Sequence, residues 1–290
     1  METRDWSILQ ILYREKNITK AAKQLYISQP ALTNRLKQIE REFGVKIVNR
    51  GRRGIQFTSQ GEYLAKCADE MLLRIRSIKE NVHDMRDIVS GTLRLGVSNY
   101  FAHYQLPGVL KLFKHRFPNI EYKVTSGWSS EIAPLLPKKD IHIAFVKGDF
   151  NWVDEKHLLF DETICVVSKD PIQLEELPEL PRIDYRSEYS LKSVIDNWWA
   201  EQYTHPPLIN IEVDKVDTCK EMVLNGLGYA IMPSMILRDT EGLHTIDLNT
   251  KAGDPLLRRT WMLYHKESLN LNMVREFVSF IKSIDMNTSF

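Results

Sequence analysis

The 290-residue chain is predicted to be an α/β protein in three parts: a small helical head, one long helix, and a larger body of alternating strands and helices. Three observations predict it. Charge is unevenly divided, with a net +7 on residues 1–60, −1 on residues 61–90 and −5 on residues 91–290, although the whole chain carries only +1. Between residues 59 and 89, apolar side chains recur at alternating spacings of four and three, the pattern of one long amphipathic helix. Beyond residue 91, short β-prone runs alternate with helical stripes, as in a largely parallel sheet covered by helices.

The head comes first in the chain. Trp6, Leu9 and Tyr13, with Ile8 and Leu12, form a helical stripe that ends near Asn17. Thr19 can cap a short second helix carrying Ala21, Ala22 and Leu25. Ser28 caps a third, with Pro30 in its first turn, where a missing N–H costs nothing. Leu32, Leu36, Ile39 and Phe43 give that helix an inward stripe, leaving Gln29, Thr33, Asn34, Lys37 and Gln38 outward. Small residues in the second helix let the third cross it closely, which is the helix-turn-helix arrangement. Its polar outward face suits a DNA major groove, where Gln and Asn pair with adenine edges and Thr meets a thymine methyl. Val45–Val48 and Ile55–Phe57 flank Arg50-Gly51-Arg52-Arg53-Gly54, a hairpin wing whose arginines are expected on phosphates. A basic head on a mildly acidic body fits a polyanionic partner met by the head alone.

The long helix is expected from Ser59 to Val89, roughly 45 Å at 1.5 Å per residue. Either Thr58 or Ser59, the latter in a capping box with Glu62, can start it, and Ser90-Gly91 ends it. Leu64, Ala68, Met71, Ile75, Ile78, Val82, Met85 and Val89 form its seam, with Arg74, Arg76, Lys79, Asp84, Arg86 and Asp87 on the other faces. Such a seam serves either a partner helix in a dimer or packing on the helix's own domain; its length favours the dimer.

The body opens with a strand at Thr92–Ser98, a helix at Leu106–Phe117, a strand at Ile120–Ser126, a short helix at Ser130–Leu136 and a strand at Ile141–Val146. Strands follow near Thr163–Ser168 and Arg182–Tyr185, then helix Leu191–Tyr203, strand Ile209–Val213, helix Val216–Leu224 and strand Tyr229–Met232. Strand Arg258–Tyr264 and helix Leu271–Ile284 close the chain, and the Pro- and Glu-rich run Asp170–Pro181 reads as loop. Ligands of open α/β sheets sit at the carboxyl ends of strands. Two such ends are Ser98-Asn99-Tyr100 and Gly127-Trp128-Ser129-Ser130, whose hydroxyls can cap a helix or reach a carboxylate. Lys147 directly after one strand and Arg258 on another can neutralise a compact polyanion.

Other constellations carry no chemistry. Gly226-Leu227-Gly228 lacks a third glycine and precedes a strand, so it is no dinucleotide fingerprint. The eight histidines lack metal-ligand spacing, so no metal and no cofactor are expected, and Trp198-Trp199 reads as core or interface. No nucleophile, base and orienting group share a motif, which argues against an enzyme. Cys67, Cys165 and Cys219 are far apart, as unpaired thiols of a reducing compartment are. With no apolar segment after Met1 and none of membrane-spanning length, a cytoplasmic protein without membrane contact is expected.

Ala21-Ala22, Leu25, Ile27–Thr33, Leu36, Ile39-Glu40, Phe43-Gly44, Arg50 and Phe57–Gly61 closely resemble the amino-terminal signature of LysR-type transcriptional regulators. The chain departs at Ile47-Val48, where that family usually has Leu-Phe. The resemblance spans the whole chain and implies a winged helix-turn-helix at 1–58, a linker and dimerisation helix at 59–90, and an effector-binding domain at 91–290. That domain resembles periplasmic binding proteins, with one subdomain at about 91–161 and 266–290 and a second between. The DNA-binding residues implied are Gln29, Pro30, Thr33, Asn34, Lys37, Arg50, Arg52 and Arg53. A homo-oligomer is implied too, a dimer through the linker helix and a homotetramer. Within the family, Ser126–Glu131, Val213–Met222, Gly226–Ser234 and Arg258–Trp261 look most like the citrate-responsive catabolite control protein C and E subgroup, regulators of citric-acid-cycle genes. This implies citrate, or a similar carboxylate, as effector, held by Ser98, Asn99, Ser129, Ser130, Lys147 and Arg258. An amino-acid derivative is the alternative. The subgroup is expected to have arginine where this chain has Lys147, which keeps the charge but loses the bidentate fork.

Overall fold

The computed structural model describes residues 1–51, 54–85, 88–238 and 240–286, without the side chain of Arg50. The chain forms two compact units, Met1–Asp87 and Ile88–Phe290.

The first unit contains α1 (Thr3–Glu15), α2 (Ile18–Gln24), α3 (Gln29–Phe43), the hairpin strands β1 (Val48–Gly51) and β2 (Gly54–Phe57), and α4 (Ser59–Asp84). Asn17 rather than Thr19 caps α2, its side-chain oxygen accepting the Lys20 N–H at 3.0 Å. Thr19 lies one residue inside, and its hydroxyl donates to Gln29 Oε1 at 3.3 Å. Ser28 caps α3 by accepting the Ala31 N–H. Leu32, Leu36 and Ile39 are buried, but Phe43 is 40% exposed: the helix turns left-handed at Gly44, and the Phe43 ring rests edge-on against Trp6. The core of this unit joins these residues to Ile8, Leu9, Leu12, Ala21, Ala22, Ile47 and Ile55, and to Leu64 and Ala68 of α4.

Thr58 caps α4 by accepting the Gly61 N–H at 3.0 Å. Gly61 is required there, because a Cβ at that position would lie 2.1 Å from the Ile47 carbonyl oxygen. The helix runs for 26 residues, about 39 Å, and stops at Asp84, short of the expected Val89. Its seam is split between two surroundings. Leu64 and Ala68 belong to the head's core, whereas Met71, Ile78 and Val82 are exposed. Val89 lies beyond the helix and packs on the core of the second unit. Arg86 and Asp87, expected on the charged face, lie outside the described residues.

The second unit contains β3 (Gly91–Ser98), α5 (Asn99–Tyr104), α6 (Leu106–Arg116), β4 (Ile120–Gly127), α7 (Ser129–Ile132), β5 (Ile143–Lys147), β6 (Glu155–Ser168), β7 (Arg182–Tyr185) and α8 (Tyr189–Gln202). It continues through β8 (Ile209–Val213), α9 (Val216–Leu224), β9 (Ala230–Pro233), β10 (His244–Asp247), β11 (Leu257–Tyr264) and α10 (Asn272–Ser283). One sheet runs β10-β6-β11-β5-β3-β4, and β9 also pairs with β6. In the first lobe, β5, β3 and β4 are parallel, and β11 runs antiparallel to both β5 and β6. The 14-residue β6 leaves β11 after Thr163 and enters a second lobe, where Ile164–Ser168 pair with β9 and β10. There β7 and β8 form a parallel pair packed against α9, while α8 packs over Ile164, Val166 and Ile231 of β6 and β9. Separate clusters fill the lobes, one around Phe101, Phe113, Phe145 and Phe277, the others around Trp198, Trp199 and Tyr229 and around Ile183, Cys219 and Met232.

Sequence patterning anticipates only the apolar second half of β6. Its first half, Glu155–Glu162, carries too many charges to read as a strand alone. The short α5 and the exposed strand β10 carry no strong periodicity either. The run expected as loop, Asp170–Pro181, holds one short 3-10 turn at Leu174–Glu176. No helix among the described residues is long and apolar enough to cross a membrane.

Candidate functional site

Two surfaces bring the sequence-predicted residues together. On the first unit, Gln29, Pro30, Asn34 and Lys37 are exposed along one face of α3, with Thr33 half-buried among them. Arg35 clamps that helix to α1: its Nε and Nη2 donate to the two oxygens of the buried Asp5 at 2.5 and 2.7 Å, a bidentate pair. Gln38 is exposed, as expected, and accepts from Arg35 Nη1 at 3.0 Å. The hairpin wing forms as β1 and β2, paired Val48 to Phe57 and Gly51 to Gly54. Arg52, Arg53 and the Arg50 side chain lie outside the described residues.

The second surface is a cavity of about 310 Å³ in the body. Strand register builds it. Ser98 at the end of β3 stands beside Gly127 at the end of β4, and β5 ends close by at Lys147. In the other lobe β7 and β8 end side by side at Tyr185 and Val213. Carboxyl ends of parallel strands from both lobes thus face one space, the placement expected of ligand sites in open α/β sheets. Arg258 on β11 pairs in register with Glu162 on β6, where the sheet passes from one lobe to the other. Ser98, Asn99, Ser129, Lys147 and Arg258 all line the cavity. Ser130 is the exception. Its side chain is exposed and outside the lining, and its backbone N–H is what serves the site.

The serines do not cap helices by their hydroxyls. Ser129 Oγ accepts the Lys147 N–H at 3.0 Å, tying α7 to β5, while Glu131 accepts the Trp128 N–H. Both cations are already paired. Lys147 Nζ is buried on Glu162 and sits 4.0 Å over the Tyr100 ring. Arg258 Nη2 donates to Glu188 Oε2 at 3.0 Å, and Glu188 Oε1 accepts the Ser130 N–H at 3.2 Å. Burial pushes the Lys147 ammonium down to about 8, against the opposing pull of Glu162. Across the cavity, Tyr104 of α5 donates to Asp217 of α9 at 2.5 Å.

Several buried polar atoms here have no partner among the described residues: Ser98 Oγ, Tyr100 OH, Tyr185 OH and Arg258 Nε. Burial pushes the phenols of Tyr100 and Tyr185 well above their ordinary range, with Glu162 adding to the rise, so both stay neutral donors. Buried polar groups are normally satisfied, and four unfilled donors converging on one space match a ligand rich in acceptor oxygens. Tyr185 and the paired Glu162 and Glu188 are absent from the sequence-derived site, and Tyr100 is named there only as part of the strand end Ser98-Asn99-Tyr100, not among the effector-holding residues. Tyr100 is the one with a signal, since it adjoins Ser98-Asn99. Among the described residues no cluster of His, Cys, Asp and Glu could hold a metal ion.

Comparison with known proteins places both units. Residues 3–62 match the bacterial regulatory helix-turn-helix protein, lysR family, and residues 86–284 match the LysR substrate binding domain. The chain is 39% identical over 288 residues to the uncharacterized HTH-type transcriptional regulator YraN of Bacillus subtilis (strain 168), covering 99% of this chain and 100% of that one. It is 33% identical to YkuM of the same organism, an uncharacterized HTH-type transcriptional regulator, over 98% of each chain. Full-length CbnR, solved in complex with its target DNA, shares the fold with a TM-score of 0.67 at 18% identity, over 97% of this chain and 99% of that one.

Proposed function

Because the chain belongs to the LysR family of DNA-binding transcriptional regulators, we propose that a small carboxylate bound in the cavity of its body gates its hold on an operator. The observation that carries this reading is the convergence of unpartnered donors, Ser98 Oγ, Tyr100 OH, Tyr185 OH and Arg258 Nε, beside Ser129 and Lys147. The functional division follows the chain: residues 1–58 contact double-stranded DNA, 59–90 pair with a second copy, and 91–290 bind the effector, in an assembly of dimers and a homotetramer. Bound effector fixes the angle between the two lobes, which changes the spacing of the winged helices mounted on paired rods. Base contacts come from Gln29, Pro30, Thr33, Asn34 and Lys37, and phosphate contacts from Arg50, Arg52 and Arg53. Such a regulator works in the cytoplasm.

Citrate, with control of citric-acid-cycle genes, is the specific form of this reading that the sequence resemblance supports. A second reading, an amino-acid derivative, is favoured by one observation: Lys147 and Arg258 each already face a carboxylate, so the cavity floor is close to neutral. Calorimetry of the full-length protein with citrate, succinate and L-glutamate separates the two. Arg258→Ala is expected to weaken binding of the preferred acid by roughly 2–5 kcal/mol. Wild-type affinity in that variant, or no binding of any of the three acids at millimolar concentration, would rule out the carboxylate reading and leave the DNA-binding assignment in place.

A further inference from the structure

We infer that Glu188 occupies a carboxylate seat that the effector takes over, so that this residue is an internal competitor setting which acids bind and at what concentration. The inference rests on reading the cavity as the effector site. Glu188 ends the loop between β7 and α8 in the second lobe, and its side chain, 8% exposed, reaches across to the first. One oxygen accepts the Ser130 N–H and the other accepts from Arg258 Nη2. This is the contact set of a bound ligand carboxylate, made by the protein itself.

The grip is incomplete. Arg258 offers a planar fork, yet Glu188 takes only Nη2, because its other oxygen is engaged by Ser130; the neighbouring Nε is buried and unpartnered. A free carboxylate is not tethered to a backbone and can lie flat against the fork, accepting from Nε and Nη2 together, the stronger geometry. The same acid, if it carries further oxygens, meets Ser98 Oγ, Tyr100 OH and Tyr185 OH, which Glu188 leaves unfilled. Exchange at the seat replaces one carboxylate with another, whereas an anion added beside Glu188 would be repelled by it. Glu188 has an exit, for Arg186, Tyr189 and Ser190 close to it in the chain are exposed and the adjoining Ser187 is only half-buried. Breaking its bond to Ser130 also releases one of the links between the lobes, so exchange at the seat and movement of the lobes are one event.

The test is calorimetry of full-length wild type and Glu188→Gln with citrate, succinate and L-glutamate at pH 7, with cooperative thermal unfolding as the check that the variant is folded. Glutamine keeps the shape and removes the competing charge, so at least one acid is expected to bind tenfold tighter or more than to wild type. Glu188→Asp, shorter by one methylene, is expected to give a smaller gain of the same sign, and stands in if the glutamine variant does not fold. Wild-type binding with no gain in either variant overturns the inference and spares the effector site. A loss confined to L-glutamate also overturns it, and assigns Glu188 to the ligand's ammonium instead. No binding by wild type or variants overturns the inference and the carboxylate reading together.

Discussion

Lys147 shows how one residue can satisfy a sequence expectation and change its meaning. A lysine directly after a parallel strand looks like a free cation for a ligand, but here it is 1% exposed and paired with Glu162 under the Tyr100 ring. Truncation to alanine leaves Glu162 buried and uncompensated, so Lys147→Ala is expected to lower stability by roughly 3–5 kcal/mol, measured by urea unfolding. Replacing both partners with apolar residues of similar volume is expected to restore most of that loss. The ammonium's lowered value gives a pH signature. Between about 8 and its ordinary 10.5 the unfolded chain holds this proton and the folded chain releases it, so the group's contribution to stability rises with pH across that window. Stability measured from pH 8 to 9.5 should therefore rise more in wild type than in Lys147→Met; parallel profiles would contradict the assigned shift.

At the scale of elements, α4 serves two masters. Its first turns bury Leu64 and Ala68 in the head, and only the later seam positions are left for a partner. Met71, Ile78 and Val82 are exposed apolar residues on a helix about 39 Å long, a surface that monomers rarely leave uncovered. Ile78→Asp places a charge in this stripe and is expected to yield monomers by sedimentation, while Lys79→Asp, one residue off the stripe, leaves the oligomer intact. Intact oligomers in both would mean that the seam is not the pairing surface.

Over the whole molecule, charge and chemistry are segregated: the head is strongly basic and the body mildly acidic, with paired ions inside its cavity. DNA affinity should accordingly fall steeply with salt through the head. Arg52→Ala is expected to weaken binding to all sequences alike and to flatten the salt dependence, whereas Gln29→Ala costs about 1–3 kcal/mol at the preferred operator and relaxes its sequence preference. Quantitative mobility shifts across salt and operator variants check both, and a change of sequence preference from Arg52→Ala alone would reverse the two assignments.

Local signals in the sequence determined the three-part organisation, because caps, periodicity and charge act between residues a few positions apart. Ser28 with Pro30 marks the recognition helix, the four-three spacing marks α4, and the strand ends at Ser98 and Gly127 mark one wall of the cavity. Tertiary structure alone decided what those residues meet. Val89 left the rod for the body's core, and the Ser130 backbone replaced its hydroxyl. Glu162 and Glu188 became the partners of Lys147 and Arg258 through contacts 15 and 70 residues apart in sequence, separations at which no spacing rule operates. The sequence could place two cations at the site; whether they were free was settled by strands and loops brought together from both lobes.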